Sequence, residues 1–501
     1  MAYTFEDIKT VGVIGAGLMG AGIAQVLMTS GYDVILNDMN ADALSRARSS
    51  IGDRIDRLAE KGRITSKAAA AAKGRLKISA DLSTLADAQL VIEAIIERLD
   101  IKQKLFTDLE SIVGAQTILA SNTSSLSIAS IAKACENRGR VVGMHFFNPV
   151  PLMKLVEVIG GASTDQAVID TTIALSDAMG KVPVLAKDGP GFIVNLGGRA
   201  YYTEALHIES EGVAAPEQID RIMKMAAGFR MGPFELMDLT GMDVNFPVSR
   251  LIFEGYQSDP RLRTTAGHGY MVEAGLLGRK SGQGFYDYAE DGPKPPSPMP
   301  SPPVAGPVTA LPVVLPEATD RFAGLVEKGL VAGTDDGKMP ILVSPNGEDC
   351  TGVVARLGLD PKRTVAVDLS ALALGVVTIM TAPGGSDVLE DVAAWLGKAG
   401  LHVEVIRDSP GFVAPRIIAM IVNLCCEMAQ IGVGSPEDLG KAMTLGLNYP
   451  FNPLDHGDLL GAGRVLETMD ALQDTTGSDR YRPSLWLKRR ARLGLSLSAD
   501  D

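Results

Sequence analysis

Cysteine is scarce in this chain of 501 residues: four thiols, Cys135, Cys350, Cys425 and Cys426, show no paired or metal-ligand spacing. That excludes a disulfide scaffold and a cysteine-built metal site, and it fits a reducing compartment, expected to be the cytoplasm. Long apolar runs are missing as well. The longest, Leu369 to Met380, falls well short of the about 20 residues that span a bilayer and contains Gly375, so it is expected to be a buried strand. No basic region followed by an apolar block precedes the strand pattern at Val11, which predicts no secretory or transit leader. Positive charge is also short: 47 Lys and Arg against 60 Asp and Glu leave a net −13. An acidic balance argues against nucleic acid as a general partner, because binding it requires clustered cations.

What is present is apolar material, 46% of residues. With this length it predicts about three or four units of roughly 100–200 residues. One segment breaks the acidic balance. Residues 41–78 carry ten basic side chains (Arg46, Arg48, Arg54, Arg57, Lys61, Arg63, Lys67, Lys73, Arg75, Lys77) against four acidic ones. Taken alone this reads as a solvated helix face.

Residues 11–16 and 33–38 read as short buried strands around a helix opening at Gly17, a βαβ unit. Further strands are expected at Leu90–Ala94, Thr117–Ala120 and Val141–Phe146, giving a doubly wound sheet. The long helical connection between Asp38 and Leu76 is expected to project as a two-helix arm, which is the basic segment. The domain pattern read here is 1–188 for the sheet with its arm (41–78) and 189–290 for a helical domain. A proline-rich linker (291–330), a reduced α/β segment (331–408) and a second helical domain (409–501) follow.

The second helical domain repeats the first. Without gaps, at a spacing of 220, Asp188-Gly-Pro-Gly-Phe-Ile-Val-Asn195 faces Asp408-Ser-Pro-Gly-Phe-Val-Ala-Pro415. The same register sets Gly212–Val213 on Gly432–Val433, Pro233 on Pro453 and Asp238–Leu239 on Asp458–Leu459, which marks an internal duplication.

Gly15-x-Gly17-x-x-Gly20 follows a strand and opens a helix, the context of a dinucleotide fingerprint. Gly15 permits the turn, Gly17 lets a pyrophosphate approach the backbone and Gly20 allows close packing, with Leu18 and Met19 in the same loop. Asp38 ends the next strand, where a carboxylate accepts from ribose hydroxyls and repels a 2′-phosphate, so NAD is favoured over NADP. His145 ends another strand at the ligand edge. If the runs 141–146 and 154–159 pair antiparallel about Pro151, Glu157 lies opposite His145 and would stabilise its protonated ring. An ordinary packed histidine is the competing reading. Asn122-Thr-Ser124-Ser follows a strand at the same edge, where hydroxyls meet a substrate or serve as a helix cap. Asn195 lies in the first turn of a helix, a poor place for Asn without a role. Its counterpart is Pro415, so the repeat keeps the architecture and drops the polar group.

Assembled, these motifs resemble the 3-hydroxyacyl-CoA dehydrogenases over residues 10–290. The matching segments are Val11–Gly22, Val91-Ile-Glu-Ala-Ile-Ile-Glu97, Ala120–Ser125, His145-Phe-Phe-Asn-Pro-Val-Pro151, Met153–Glu157 and Asp188–Asn195. The whole chain, including Arg480-Tyr-Arg-Pro483, resembles the two-module branch linked to phenylacetate breakdown. The resemblance implies a Rossmann-type α/β sheet with an all-α C-terminal domain, then a second, degenerate α/β plus all-α module. It implies NAD as cofactor, an acyl-CoA substrate, His145 as base, Glu157 as its partner, and Ser124 and Asn195 around the reacting oxygen. It further implies Asp38 on the adenine-side ribose, Glu97, Lys102 and Asn122 near the nicotinamide half, and Lys61 with Arg54 on coenzyme A. Arg54 stands where mitochondrial relatives have a serine. No metal, membrane or nucleic acid is implied, and a homodimer is possible with residues 410–483 standing in for a family dimer partner. Two rival readings are a dehydrogenase of free β-hydroxyacids and a non-catalytic, crystallin-like NAD-binding protein.

Overall fold

A computed structural model describes residues 3–288, 313–314, 322–332, 335–385 and 388–499. Most of the expected proline-rich linker lies outside the described residues. The chain divides into two compact units that do not follow chain order. The first holds the chain through Leu196 together with Ile431–Asn448, and the second holds Gly197–Gln430 and Tyr449–Ala499.

The first unit is built on an eight-stranded sheet. Its strands are β1 (Thr10–Ile14), β2 (Asp33–Asn37), β3 (Leu76–Ser79), β4 (Leu90–Glu93), β5 (Ile118–Ser121), β6 (Val141–Phe146), β7 (Leu155–Gly160) and β8 (Val182–Lys187). Their order is β3-β2-β1-β4-β5-β6-β7-β8. Neighbours are parallel except β6 and β7, which run antiparallel. Val11, Val13, Val34, Leu36, Leu90 and Ile92 are fully buried, as expected of strands covered on both faces. The arm is two helices, Ala41–Glu60 and Ser66–Gly74. The first is capped by Asn40, whose side chain accepts from the amides of Asp42 and Ala43, and it buries Leu44, Ala47, Ile51 and Ile55 at helical spacing. That spacing leaves the basic side chains on the solvent face.

The second unit contains a six-stranded sheet. Its strands are β9 (Val313–Val314), β10 (Val331–Ala332), β11 (Ile341–Val343), β12 (Thr364–Asp368), β13 (Val376–Thr381) and β14 (His402–Val405), in the order β10-β9-β11-β12-β13-β14. The apolar run Leu369–Met380 is not one strand. A single 3-10 turn at Leu372–Leu374 and Gly375, at φ 76°, reverse the chain, and only β13 continues. A residue without a side chain accepts that left-handed conformation at little steric cost, which is why the run breaks there.

The duplication reaches further back than the sequence repeat. From β11 to β14 the pairings are parallel, antiparallel, parallel, as they are from β5 to β8. Val184 and Glu404, 220 residues apart, pair with Glu157 and Thr378, which in turn face His145 and Asp368. The second copy therefore holds Asp368 and Thr378 at the two positions that His145 and Glu157 occupy in the first. Asp188 accepts from Ser127 and from the amides of Ile128 and Ala129; Asp408 does the same for Cys350 and Thr351.

One backbone bond is also made twice with the copies exchanged. In the first unit the Lys187 amide donates to the Val433 carbonyl at 2.8 Å. In the second, the Arg407 amide donates to the Val213 carbonyl at 2.9 Å. Each copy thus supplies the same backbone acceptor to the other's strand end.

Among the described residues, no helix is long and apolar enough to cross a membrane, and no cluster of His, Cys, Asp and Glu could hold a metal ion. All four cysteines are free and buried.

Candidate active site

The site gathers at the ends of β1, β2, β4, β5 and β6. Gly17 begins the helix Leu18–Thr29, and a Cβ placed on it would meet nothing within 4 Å, so the backbone there is open to a ligand. A Cβ on Gly15 would collide with the Ala94 carbonyl, and Gly15 has φ 102°, so the turn requires glycine. A Cβ on Gly20 would collide with the Gly15 carbonyl. Asp38 accepts from the Ala16 amide with Oδ2 (2.8 Å) and from the Asn40 amide with Oδ1 (2.9 Å), which fixes its carboxylate at the mouth of the glycine turn. Leu18, Met39 and Ile96 follow β1, β2 and β4 at this edge and expose 64%, 94% and 60% of their surface. Apolar side chains so exposed at one sheet edge suit the flat faces of a dinucleotide. Met39 and Ile96 were not singled out from sequence; their signal is an apolar residue directly after a buried strand.

His145 is buried, at the end of β6. Its Nδ1 lies 2.6 Å from Glu157 Oε2, and Glu157 is 0% exposed. The ring packs on Phe147 and Phe192, at centroid distances of 4.5 and 6.0 Å. The register His145↔Glu157 is the one expected from a hairpin centred on Pro151. The other carboxylate oxygen, Glu157 Oε1, accepts from the amides of Ile193 (2.8 Å) and Val194 (2.9 Å). A carboxylate buried among apolar strands is thus fully bonded, with hydrogen bonds to a charge contributing about 1.5–3 kcal/mol each. The two amides come from the turn that starts the helix Val194–Gly197, so the Asp188–Asn195 motif supplies the orienting groups for the dyad.

Asn195 Nδ2 donates to the Ser124 carbonyl at 3.3 Å, bringing those two expected residues together. The Ser124 side chain is exposed. Its amide and that of Ser125 donate to Glu97 Oε1, at 3.0 and 3.1 Å, and Thr123 Oγ1 donates to the same oxygen at 2.6 Å. Burial works to raise the Glu97 carboxyl, but the Lys102 ammonium and these donors outweigh it and hold it below the usual carboxylate range. Lys102 itself has no exposed surface. Its ammonium sits 2.7 Å from Glu93 and 3.1 Å from Glu97, beneath the site rather than in it. Glu93 was not singled out from sequence. It is fully buried and also accepts from Ser121 Oγ and the Ile95 amide. A carboxylate inside an apolar strand, nine residues before a helical lysine, is the signal that could have found it. Asn122 spends its side-chain oxygen on the Phe146 amide at 2.8 Å, tying β5 to β6 one residue beyond His145.

On the arm, Arg54 lines a hollow of about 380 Å³ with Arg46, Ser49, Ser50, Asp53 and Arg57. Arg54 and Arg57 also face a second hollow of about 400 Å³ toward Pro149, Pro151, Leu152 and Lys181. Lys61 is exposed just past the end of the first arm helix and lines neither. A larger hollow of about 740 Å³ lies in the second unit, beside Asn346, Glu348, Arg356 and Glu467. It has no histidine and no glycine fingerprint, so size does not mark the chemistry here.

Comparison with known proteins follows the same pattern. A family model described as the NAD-binding domain of 3-hydroxyacyl-CoA dehydrogenase matches residues 10–189, and the C-terminal domain model of those enzymes matches twice, at 191–288 and 411–497. The chain is 39% identical over 488 residues to 3-hydroxyadipyl-CoA dehydrogenase of Escherichia coli K12, covering 97% of this chain and 98% of that one. It is 42% identical over 292 residues to the mitochondrial hydroxyacyl-coenzyme A dehydrogenase of Rattus norvegicus, covering 56% of this chain and 91% of the relative. The crystal structure of 3-hydroxybutyryl-CoA dehydrogenase from Escherichia coli K12 superposes with a TM-score of 0.87 at 37% identity, covering 97% of this chain and 99% of that one.

Proposed function

Because the chain belongs to the 3-hydroxyacyl-CoA dehydrogenase family, we propose that His145 is the base in an NAD-dependent oxidation of a 3-hydroxyacyl-CoA to the 3-ketoacyl-CoA. The observation that carries this is the 2.6 Å contact between His145 Nδ1 and the fully buried Glu157. With Nδ1–H held by a carboxylate, Nε2 is the free lone pair, and it takes the proton of the 3-hydroxyl. The positive ring then faces an anion that two backbone amides keep in place. NAD, when bound, would supply the acceptor for the hydride of C3. Gly15, Gly17 and Gly20 with the amides after them would hold its pyrophosphate, Asp38 its ribose, and Leu18 and Met19 would flank it. Ser124 and Asn195 bond the reacting oxygen as it becomes a carbonyl. Glu97, Lys102 and Asn122 fix the loop that carries Ser124. Arg54 and Lys61 meet the phosphates of coenzyme A.

The substrate is placed among short acyl chains, such as 3-hydroxybutyryl- or 3-hydroxyadipyl-CoA, in fatty-acid β-oxidation or phenylacetate breakdown in the cytoplasm. Support comes from the relatives of nearly equal length, whose names carry those two short acyl groups. The second helical domain, residues 409–501, is read as an internal stand-in for the partner subunit of a dimer. The exchanged Lys187–Val433 and Arg407–Val213 bonds support that reading. The division into 1–188, 189–290, 291–330, 331–408 and 409–501 is kept within it.

The test is NADH formation from 3-hydroxybutyryl-CoA, 3-hydroxyadipyl-CoA and free 3-hydroxybutyrate. Turnover of the thioesters alone is the expected result. Turnover of the free acid alone, or of none, would refute the proposal.

A further inference from the structure

Two glycines of the repeated copy press on the residues that orient Glu157. Within the first unit, a Cβ on Gly434 would stand 2.8 Å from Ile193 Cδ1. A Cβ on Gly446 would stand 2.8 Å from Val194 Cγ2 and 2.8 Å from Leu155 Cδ2. Ile193 and Val194 are the two residues whose amides hold Glu157 Oε1, and Leu155 lies two residues before Glu157 on β7. The helix between these glycines, Pro436–Gly446, packs on β7 and β8. Its entrance is pinned by the Lys187 amide on the Val433 carbonyl and by the Leu185 amide on Asp438 Oδ2 (3.3 Å).

Sequence alignment of the two copies adds an independent observation. At the 220-residue spacing, Gly434 and Ile193 correspond to Ala214 and Val413, and Gly446 and Val194 to Ala226 and Ala414. At the first pair a carbon has moved from one side of the match to the other, leaving the summed side-chain size unchanged. At both pairs the glycine stands opposite the larger side chain of the catalytic copy. Close-packed interiors enforce such compensation, since one methylene too many displaces a neighbour.

We propose that Gly434 and Gly446 are positioning residues for the dehydrogenase reaction: the degenerate copy braces the Ile193–Val194 turn and thereby sets Glu157 against His145. The inference rests on the catalytic reading of that dyad. It gives the non-catalytic module a task in the chemistry of the other one.

The experiment uses the full chain and four variants: Glu157→Gln, Gly446→Ala, Gly434→Ala and the double variant Val194→Ala/Gly446→Ala. Each is followed by kcat, KM for NAD and for 3-hydroxybutyryl-CoA, the pH profile of kcat/KM and the thermal midpoint. Gly446→Ala should lower kcat on the order of tenfold, the scale for a sub-ångström displacement of catalytic groups. Gly434→Ala should do so in the same direction, and KM for NAD should be unchanged in both. A Glu157 carried away from His145 stabilises the charged imidazolium less, so the acid limb of the profile should move to lower pH. The double variant, which reproduces the Ala226 and Ala414 of the corresponding positions, should recover part of the kcat lost in Gly446→Ala, since it relieves the contact with Val194 and leaves the one with Leu155.

Normal turnover in Glu157→Gln would overturn the catalytic reading itself. Impaired Glu157→Gln beside Gly446→Ala and Gly434→Ala of normal kcat and pH profile would overturn the brace alone. A lowered thermal midpoint with an unshifted pH profile, and no recovery in the double variant, would likewise reduce both glycines to packing.

Discussion

Phe192 and Phe412, 220 residues apart, share a left-handed backbone, with φ 48° and φ 56°. A bulky residue rarely adopts that conformation, and strain of this kind often marks a catalytic site. Here it does not. Phe412 stands in the copy where Asp368 and Thr378 replace the dyad, so the strain belongs to the turn that leads into the following helix. Both rings are almost fully buried. Phe192→Ala and Phe412→Ala should each cost about 3–5 kcal/mol of stability. Only Phe192→Ala should also lower turnover of the folded enzyme, because only that ring packs on His145. Denaturant melts and kcat at saturating substrate measure the two effects, and equal losses of kcat would contradict the assignment.

His145→Gln should reduce kcat by on the order of 10²–10⁴ while NAD binding, read by fluorescence titration, persists. Glu157→Gln should lower kcat less, since it keeps the amide acceptor and the shape but removes the anion facing the imidazolium. Normal turnover in the His145→Gln enzyme would exclude the base assigned here.

The hairpin carrying this dyad was legible in advance because two apolar runs about Pro151 admit few registers. The glycine turn was legible for a similar reason: glycine spacing between a strand and a helix leaves little freedom. The break at Gly375 was not, because an unbroken apolar run hides a reversal that one left-handed glycine permits. Nor was the approach of Ile431–Asn448 to β7 and β8 foreseeable, since nothing local to those residues encodes a contact about 250 positions away.

Glu204 offers a pH test of the second unit. Its carboxylate is fully buried between Arg416 (2.7 Å) and Arg480 (2.8 Å), with the Tyr481 hydroxyl at 2.9 Å. The Arg480–Pro483 motif thus serves an internal ion network, with Arg480 also donating to the carbonyls of Arg261 and Arg263. Burial acts to raise the Glu204 carboxyl, but Arg480 and Arg416 overcome it and hold it down to about 2. Because the folded value lies below the ordinary one of about 4.3, this group's stabilisation is present above that pH. It is lost as pH falls toward 2. Glu204→Gln should cost about 3–5 kcal/mol at neutral pH, by leaving the buried Arg480 without its carboxylate and Arg416 with Glu211 alone. The variant should also show a shallower loss of stability between about pH 4 and 2 in acid titrations; an unchanged slope would remove Glu204 from the account.

Truncation after Pro316 removes Ile431–Asn448 from the first compact unit, and with it the partner of the Lys187 amide. The shortened chain should aggregate or form a new dimer, as read by light scattering. A soluble, fully active monomer would show that the second copy is dispensable.

In an assembly of identical subunits every mutation appears on both sides of the two-fold axis, so neither face can change without the other. Linking the copies in one polypeptide lifts that constraint, as Gly434 opposite Ile193 and the corresponding residues Ala214 and Val413 illustrate. Freed of its own chemistry, one half can be selected purely for its shape, and its drift toward smaller or larger side chains becomes a means of tuning a reaction it does not perform.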